Sequence, residues 1–134
     1  MEGKAVHQIS VKIYYEDTDA GGVVYYGNYL RYLERARTEF LLVHGISVAE
    51  YHNHGLFFTV THADIHFKKP ARLGETINVT TEIAEMRNAS VLLKSIISRN
   101  DVILVEAYVT FACINQDGKP KRLPEELRKL GALV

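Results

Sequence analysis

Residues 14–40 read YYEDTDAGGVVYYGNYLRYLERARTEF, and this segment contains the densest pattern of the chain. A strand-like segment ends in two carboxylates, Asp17 and Asp19, and the pair Gly21-Gly22 follows shortly after. A helix-forming segment begins a few residues later. We expect the rest of the fold to be arranged around this order of acid, flexible turn and helix start.

This order of residues has a chemical use. Glycine lets the backbone turn sharply, and a helix N-terminus offers unpaired N–H groups and the positive end of a dipole. A carboxylate beside such donors can attack a carbonyl or activate water while the amides stabilise an oxyanion, which suggests acyl transfer. A D-x-D pair followed by glycines is also common in plain turns, and the residues alone favour that simpler interpretation.

The composition indicates an ordinary globular protein. The chain has 134 residues, 47% hydrophobic and 24% charged, so we expect one domain, residues 1–134, with a substantial core. Sixteen basic residues balance sixteen acidic ones. This balance predicts neither nucleic-acid binding nor a basic membrane-binding patch, and it favours a small molecule or a protein as partner.

Several features predict a cytoplasmic location. The one cysteine, Cys113, cannot form an internal disulfide, and we expect it to be a buried core thiol. The first ten residues, MEGKAVHQIS, contain no apolar segment typical of an export signal. No apolar run approaches the 18 or so residues of a membrane span, so we expect no membrane insertion.

Hydrophobic periodicity predicts a strand at 6–15 and a long helix that starts at Asn28 or Tyr29 and ends near His44, with Gly45 as its stop. Asn28 is the predicted N-cap. The apolar positions of this helix at helical spacing are Tyr29, Leu30, Leu33, Ala36, Phe40, Leu41 and Val43. Of these, Leu30, Leu33, Ala36, Phe40 and Val43 form the expected apolar stripe.

The second half of the chain predicts an antiparallel sheet. A short helix over 47–54 has Ser47 as its N-cap and Glu50 at the capping-box position. Strands are predicted at 56–67, 76–86, 90–98 and 101–114, and a terminal helix at 123–130. Short turns between strands and one long helix indicate an α+β fold. The last strand is apolar on both faces, so it should be central or be covered by another subunit.

Three segments, YYEDTDAGGVVYYGNY, YLERARTEF and KPARLGE, resemble acyl-CoA thioesterases of the 4-hydroxybenzoyl-CoA thioesterase family. Within that family the most similar group is the one associated with the bacterial Tol–Pal system. The resemblance implies a hotdog fold, in which an antiparallel five-stranded sheet wraps around one long central helix. It further implies an acyl-CoA substrate and a homodimer or homotetramer. We expect no cofactor, and an acyl carrier protein is left open as a second partner.

The resemblance also assigns roles to residues. The family's catalytic carboxylate, the nucleophile or general base, falls on Asp19, and its oxyanion donor is the backbone N–H that falls on Tyr26. The Tol–Pal group has His where this chain has Tyr26, whereas the 4-hydroxybenzoyl-CoA enzyme has Tyr. Asp17 is expected to support the turn. Glu34 is the second-choice carboxylate, because some hotdog thioesterases place a catalytic Glu on the central helix, although a structural ion pair with Arg37 is the simpler role.

Coenzyme A carries phosphates, so its binding site needs cations. The candidates for phosphate binding are Lys68, Lys69, Arg72 and Arg87, although a solvated loop explains these charges equally well. The candidates for the apolar acyl pocket are Tyr25, Phe57 and Phe58, for each of which core packing is the simpler role.

His62, Asp64 and His66 alternate along one predicted strand and raise the question of a metal site. Neighbouring members lie about 6.6 Å apart along the strand, and three ligands at this spacing rarely converge on one ion. We therefore favour a polar strand face and expect no metal.

Three other functions compete with an acyl-CoA thioesterase. A hotdog dehydratase needs a catalytic His, and none lies between Asp19 and Tyr26. A metal-dependent hydrolase would be inhibited by chelators. A non-catalytic module that docks on an acyl carrier or a cell-envelope assembly would tolerate the loss of the Asp19 carboxylate.

Overall fold

The computed structural model describes residues 5–134. Residues 1–4, which belong to the predicted domain and to the segment searched for an export signal, lie outside the described residues. The strands are β1 (His7–Lys12), β2 (Leu56–Phe67), β3 (Thr76–Met86), β4 (Ser90–Arg99), β5 (Val102–Asn115) and β6 (Pro120–Lys121). The helices are α1 (Asn28–Val43), α2 (Val48–Asn53) and α3 (Glu125–Arg128), with 3-10 turns at Tyr15–Asp17 and Lys129–Leu133.

Five long strands form one antiparallel sheet in the order β1-β3-β4-β5-β2, and the two-residue β6, which the sequence did not predict, pairs with β5. The long helix α1 packs on one face of this sheet, against β1 and β3. The predicted α+β hotdog architecture is confirmed. In this order β2 is an outermost strand, and no other strand in residues 5–134 pairs with its second edge.

The core lies between α1 and the sheet, and β3 and β4 contribute to it by alternating buried and partly buried residues. Ile77, Val79 and Ile83 of β3 are buried, while the residues between them on the other face are only partly buried. The same alternation buries Val91, Leu93, Ser95 and Ile97 of β4. On the helix, residues three and four positions apart share the face that meets these side chains.

The buried face of α1 differs from the predicted stripe. Its buried residues are Tyr29, Tyr32, Leu33, Ala36, Phe40 and Leu41. Leu30 and Val43, two expected core residues, are 52% and 57% exposed. The prediction was wrong at these two positions because Tyr29, Tyr32 and Leu41, which lie outside the five-residue stripe, take core positions and rotate the buried face of the helix.

Most element boundaries agree with the predictions. The β4–β5 hairpin turns through Asn100 and Asp101, whose φ values of 49° and 63° are those of a two-residue type I′ turn. Ser47 caps α2 as expected, its Oγ accepting the N–H of Glu50 at 3.2 Å. The terminal helix is shorter than predicted. It spans four residues, has Pro124 as its N-cap and continues as a 3-10 turn.

β5 is an interior strand, paired with β4 on one side and with the outermost β2 on the other, while β4 occupies the middle of the sheet. The expected cover of its outer face by another subunit stays a prediction. Cys113 of β5 is fully buried, and burial raises the pKa of its thiol to about 12. The expected buried core thiol is therefore confirmed. Across residues 5–134, none of the helices is both long and apolar enough to cross a membrane.

Phe40 should be a major contributor to stability, because it lies 1% exposed in the core cluster with Phe111 and Leu127. Phe40→Ala is expected to lower the free energy of unfolding by about 3–5 kcal/mol, through lost burial and a residual cavity. Leu42→Ala on the same helix is the matched control, since Leu42 is 51% exposed. Its effect should stay within about 0.5 kcal/mol. Urea denaturation measures both, and equal effects would contradict this packing of α1.

Candidate active site

A tight hairpin carries Asp19. The Asp19 N–H donates to the Val23 carbonyl at 2.9 Å, and the Gly22 N–H donates to the Asp19 carbonyl at 3.1 Å. Gly22 has a φ of 78°, which favours glycine. The Asp19 side chain is exposed, and its Oδ1 accepts the Gly21 N–H at 2.9 Å. Oδ2 accepts no hydrogen bond from the described residues, so it is available for chemistry.

Asp17 fastens this hairpin to the helix. It is 9% exposed, and its carboxylate accepts the Tyr14 N–H at 2.8 Å and an Nδ2–H of Asn28 at 2.9 Å. The supporting role expected for Asp17 is thus observed. The two aspartates do not share a strand face, because a 3-10 turn at Tyr15–Asp17 interrupts the extended chain and buries Asp17 while Asp19 stays exposed.

Asn28 does not cap the helix as predicted. It is the first helical residue, the N-cap is Gly27, and no side chain caps the N-terminus. The Asn28 amide is used instead to bind Asp17. Next to this pair, burial raises the pKa of Tyr32 to about 12; the charge of Asp17 acts in the same direction and Asn28 opposes it.

The start of α1 leaves two backbone donors unpaired. The Asn28 N–H donates to the Tyr25 carbonyl at 2.8 Å and the Tyr29 N–H donates to the Tyr26 carbonyl at 3.2 Å. Within residues 5–134, the N–H groups of Tyr26 and Gly27 find no acceptor. These amides lie at the positive end of a 16-residue helix, which suits them to polarise a carbonyl or bind an oxyanion.

Gly27 is a site residue that the sequence analysis missed. A Cβ at this position would lie 2.5 Å from Cε2 of the Tyr25 ring, so a larger residue would displace that ring. The sequence feature that could have identified it is a glycine directly before the first helical residue. Glycine there lets the aromatic side chain fold back across the helix start.

A second chain segment, 71–73, holds the hairpin from the other side. The Val24 N–H donates to the Ala71 carbonyl at 2.9 Å, and the Leu73 N–H donates to the Gly22 carbonyl at 3.0 Å. The Ala71 N–H in turn donates to Oη of buried Tyr29 at 3.0 Å. Two backbone bonds and one side-chain bond therefore fix the hairpin relative to α1.

Glu75 and Arg99 stabilise this segment, and the sequence analysis missed both. Nη1 of Arg99 donates to Glu75 Oε1 at 2.8 Å and to the Pro70 carbonyl at 3.3 Å. The Arg72 N–H donates to the same Glu75 oxygen at 2.8 Å. Burial opposes ionisation of Glu75, but the bonds from Arg72 and Arg99 outweigh it and lower its pKa. Glu75 and Arg99 are 24 residues apart in the sequence, so no local pattern predicts that they meet.

A cleft of about 380 Å³ opens beside the helix start. Its lining residues are Val24, Tyr26, Tyr29, Phe67, Lys68, Lys69 and Pro70. The ring of Phe67 lies 5.8 Å from that of Tyr26 and 5.6 Å from that of Tyr29, measured between centroids. Tyr26, whose amide is unpaired, thus lines an aromatic cleft that Lys68 and Lys69 also line.

Of the four cations predicted to bind phosphate, three lie at the cleft or beside the hairpin and one does not. Lys68 and Lys69 line the cleft and form no ion pair within the described part of the chain. Arg72 lies beside the hairpin, in a β-bridge with Val23. Arg87 is occupied, because its Nε and Nη2 bind both carboxylate oxygens of Glu85 at 2.9 and 3.0 Å. It also follows the far end of β3, away from the cleft.

The predicted acyl-pocket residues are not brought together within one chain. Tyr25 is 55% exposed and its ring lies 5.3 Å from that of Tyr26. Phe57 and Phe58 lie at the other end of β2 from Phe67, about 30 Å away along the strand. The part of these two phenylalanines in substrate binding stays a prediction.

Glu34 and Arg37 do not form the expected ion pair, since Glu34 accepts the Thr38 hydroxyl at 2.7 Å. Burial lowers the pKa of Arg37, and the charge of Glu34 opposes this shift. Arg37 lines a second groove of about 360 Å³ between α1 and β2, together with Leu30, Leu33, Val60, Ala63 and Val109.

The side chains of His62, Asp64 and His66 lie on a polar outer face of β2, which is the arrangement that the sequence analysis favoured. His62, Asp64 and His66 stand opposite Thr110, Tyr108 and Glu106 of β5. Nε2 of His66 lies 3.2 Å from Oδ1 of Asp64. Among residues 5–134, no three His, Cys, Asp or Glu side chains are grouped closely enough to hold a metal ion.

Comparison with known proteins identifies the family. Residues 14–130 match the model of the thioesterase-like superfamily. The chain is 39% identical over 119 residues to the acyl-CoA thioester hydrolase YbgC of Escherichia coli O6:H1, covering 87% of this chain and 89% of the relative. It is 37% identical to a probable thioesterase from Bartonella henselae, with a TM-score of 0.84 over 90% of this chain and 100% of the other.

A more distant structure shares the fold. A 4-hydroxybenzoyl-CoA thioesterase variant in complex with 4-hydroxybenzoyl-CoA has a TM-score of 0.85 at 19% identity, over 94% of this chain and 98% of the other. The fold, the family match and the sequence relatives therefore agree with the resemblance found in residues 14–40 and 69–75. This chain belongs to the thioesterase-like superfamily, and it is a thioester hydrolase with the hotdog fold.

Proposed function

We propose that this protein hydrolyses acyl-CoA thioesters to free acid and coenzyme A. The observation that carries the proposal is the unpaired amide of Tyr26 at the start of α1, because Tyr26 lines an aromatic cleft together with Val24 of the Asp19 hairpin. The names of similar proteins from Escherichia coli and Haemophilus influenzae, an acyl-CoA thioester hydrolase and an acyl-CoA thioesterase, support the substrate class. We assign the activity to the domain 1–134 and expect it in the cytoplasm.

The amide of Tyr26 is the proposed oxyanion donor. The thioester carbonyl oxygen accepts its hydrogen bond, and the dipole of α1 favours the negative charge that develops on that oxygen. The side-chain hydroxyl of Tyr26 has no part in this step. The role therefore does not depend on whether Tyr or His occupies the position, because every residue except proline supplies this N–H.

Asp19 is the proposed catalytic carboxylate. As a general base, Asp19 takes a proton from water while the water oxygen bonds to the carbonyl carbon. The tetrahedral oxyanion then collapses, the carbon–sulfur bond breaks, and coenzyme A leaves as a thiolate that takes up the proton. As a nucleophile, Oδ2 attacks the carbonyl carbon, the carbon–sulfur bond breaks, and coenzyme A leaves as a thiolate. Water then cleaves the mixed anhydride to free acid and the Asp19 carboxylate, and the thiolate takes up the proton that the water releases. Both routes suit a thioester, because a thiolate leaves without a strong acid.

Lys68 and Lys69 are proposed to bind coenzyme A phosphates at the rim of the cleft, and Arg72 to add positive charge beside the hairpin. All three side chains are exposed at the site. Charge-assisted hydrogen bonds to phosphate are stronger than neutral ones. The phosphates then fix the coenzyme, and the thioester reaches the helix start.

The working form is proposed to be a homodimer through β2. This 12-residue strand is an outermost one, and its residues from Thr61 to Asp64 are exposed, as is the preceding Val60. Its inner face adds Phe67, which is 52% exposed. A long, partly apolar open edge is a template for pairing with a second strand. Pairing of two copies would satisfy the free backbone groups and cover these side chains.

Loss of the Asp19 carboxylate should abolish catalysis. Asp19→Asn is expected to lower kcat by at least about 100-fold, because the amide is neither a base nor a nucleophile. Free-thiol release from short-chain, long-chain and hydroxybenzoyl acyl-CoAs measures the rate. Asp117→Asn is the matched control, since Asp117 lies in the exposed turn between β5 and β6. A chelator should have no effect.

An Asp19→Asn enzyme as active as wild type would exclude Asp19 as catalyst and make Glu34→Gln the next variant. No turnover of any thioester by wild type would favour a non-catalytic module that binds an acyl carrier or a cell-envelope assembly.

Removal of the rim lysines should weaken substrate binding and spare the chemical step. The double substitution Lys68→Ala, Lys69→Ala is expected to raise KM for acyl-CoA about tenfold, which corresponds to about 1.4 kcal/mol, with little change in kcat. Added salt should raise KM more for wild type than for the variant. The control is Lys119→Ala, Lys121→Ala at the other end of β5. An unchanged KM would show that the phosphates bind elsewhere.

A further inference from the structure

Residues 68–75 border the candidate site on two sides. The first three of them line the cleft, and Ala71 and Leu73 form the backbone hydrogen bonds to the Asp19 hairpin. The segment lies between β2 and β3 and outside every strand of the sheet. Individual contacts, and not the hydrogen-bond ladder of a strand, therefore decide where it stands.

One carboxylate oxygen closes the turn at the end of this segment. Oε1 of Glu75 accepts the Arg72 N–H at 2.8 Å, and the Glu75 N–H donates to the Arg72 carbonyl at 3.1 Å. The same Oε1 accepts a hydrogen bond from Nη1 of Arg99 at 2.8 Å. Glu75 thus closes the turn and connects it to β4 through Arg99.

Arg99 contacts both ends of the segment. It is the last residue of β4, and its Nη1 also donates to the Pro70 carbonyl at 3.3 Å. One guanidinium nitrogen therefore binds Pro70 at the cleft and Glu75 directly before β3. The side chains of Glu75 and Arg99 are 28% and 25% exposed, so solvent screens their charges only in part. Because β4 is paired on both of its edges, it is a firm base for this contact.

The charges of this pair reach the cleft. Burial raises the pKa of Tyr29, whereas the Ala71 N–H and the charge of Arg99 lower it and the charge of Glu75 raises it. Tyr29 lines the cleft, and its Oη accepts the Ala71 N–H at 3.0 Å. Glu75 and Arg99 therefore lie close to the contact between the segment and α1.

Ala71 connects the segment to the proposed catalytic groups. Its carbonyl accepts the Val24 N–H at 2.9 Å, and the carbonyl of the preceding Val23 accepts the Asp19 N–H at 2.9 Å. Tyr26 follows Val24 by two residues. Val23 and Val24 thus lie on the path of the chain from Asp19 to Tyr26, and a shift of Ala71 would move them.

We propose that Glu75 and Arg99 are positioning residues for thioester hydrolysis, which hold residues 70–73 so that the Asp19 carboxylate and the Tyr26 amide stand at the correct separation for one thioester carbonyl. The inference rests on the proposed function and adds to it two residues that touch neither the substrate nor the reacting atoms. A displacement of about 1 Å between reacting groups can lower a rate by about 100-fold. Loss of the pair should therefore lower kcat.

A purely structural ion pair would behave differently. Partly exposed ion pairs contribute little to stability, so the loss of one far from the site should leave the reaction unchanged. Arg128 is the matched control, because it pairs with Glu125 and its side chain is 27% exposed, compared with 25% for Arg99. It belongs to α3 and is not among the residues that line the cleft.

Steady-state kinetics separate positioning from substrate binding. Arg99→Met keeps the length of the side chain but removes its charge and its donors. It should lower kcat for acyl-CoA hydrolysis about tenfold and keep KM within about threefold of wild type, because the rim lysines retain their own backbone bonds to Leu104. Arg99→Lys should restore kcat to within about threefold of wild type, since one ammonium can donate to both Glu75 and Pro70. Arg128→Met should have the wild-type kcat.

Glu75→Gln tests whether the two residues act together. The amide keeps an oxygen for the Arg72 N–H but loses the charge that binds Arg99, so kcat should fall about fivefold. Combined with Arg99→Met, it should bring kcat no further than about twofold below Arg99→Met alone, because residues that act through one contact are not additive. Additive losses in the double variant would overturn this shared role.

Amide hydrogen exchange, followed by NMR, tests the positioning without turnover. In Arg99→Met, the amides of Val24 and Leu73, which donate across the contact between the hairpin and the segment, should exchange at least about tenfold faster than in wild type. The Leu93 amide in β4 is the reference and should be unchanged. All three amides should exchange at the wild-type rate in Arg128→Met.

An unchanged kcat in Arg99→Met, or unchanged exchange at Val24 and Leu73, would overturn the inference. Equal acceleration at Leu93 would also overturn it, because the variant would then have lost stability throughout the sheet. Absence of acyl-CoA hydrolysis by wild type would refute the proposed function, whereas the exchange rates would still show whether Arg99 holds the segment in place.

Discussion

The carboxylate of Asp17 accepts one hydrogen bond from the backbone of Tyr14 and one from the side chain of Asn28, and the geometry of the site depends on this pair of bonds. Tyr14 ends the extended segment after β1, and Asn28 begins α1. A buried carboxylate that lost either bond would incur a desolvation cost, so the two elements are held in one relative position. The Asp19 hairpin lies between them and has its position fixed by both ends.

The free amides of Tyr26 and Gly27 follow from the same arrangement. Asn28 is a good N-cap residue by type, and a cap would have satisfied an amide of the first turn. Its side chain binds Asp17 instead, and the N-cap position falls to Gly27, which has no side chain to offer. The helix start therefore keeps its donors for a ligand. The helix thus lacks a stabilising N-cap at the position where the proposed chemistry needs free amide donors.

The sequence was informative where local patterns decide the structure and failed where long-range packing does. The strands, the β4–β5 turn at Asn100-Asp101 and the Ser47 cap were predictable, because period, turn type and capping are properties of a few adjacent residues. The exposure of Leu30 was not, since the rotation of α1 depends on how its tyrosines pack against the sheet. Glu75 and Arg99 are 24 residues apart and meet only in the folded chain.

The site was predictable in part. Asp19 and Tyr26 were identified from a family resemblance, and the cleft adds geometry around Tyr26 to that expectation. Phe57 and Phe58 were chosen as acyl-pocket residues from their type alone, although one chain keeps them at the far end of β2. A bulge at Thr61 changes which residues of this strand face inward, and no sequence pattern of period two reveals it.

The most direct test of the account is a crystal structure of the Asp19→Asn variant with an unhydrolysed acyl-CoA bound. The account predicts the thioester carbonyl oxygen about 2.7–3.1 Å from the Tyr26 amide nitrogen, with the substituted side chain at position 19 beside the carbonyl carbon and phosphates near Lys68 and Lys69. A thioester bound in another cavity, or a carbonyl turned away from the start of α1, would contradict it.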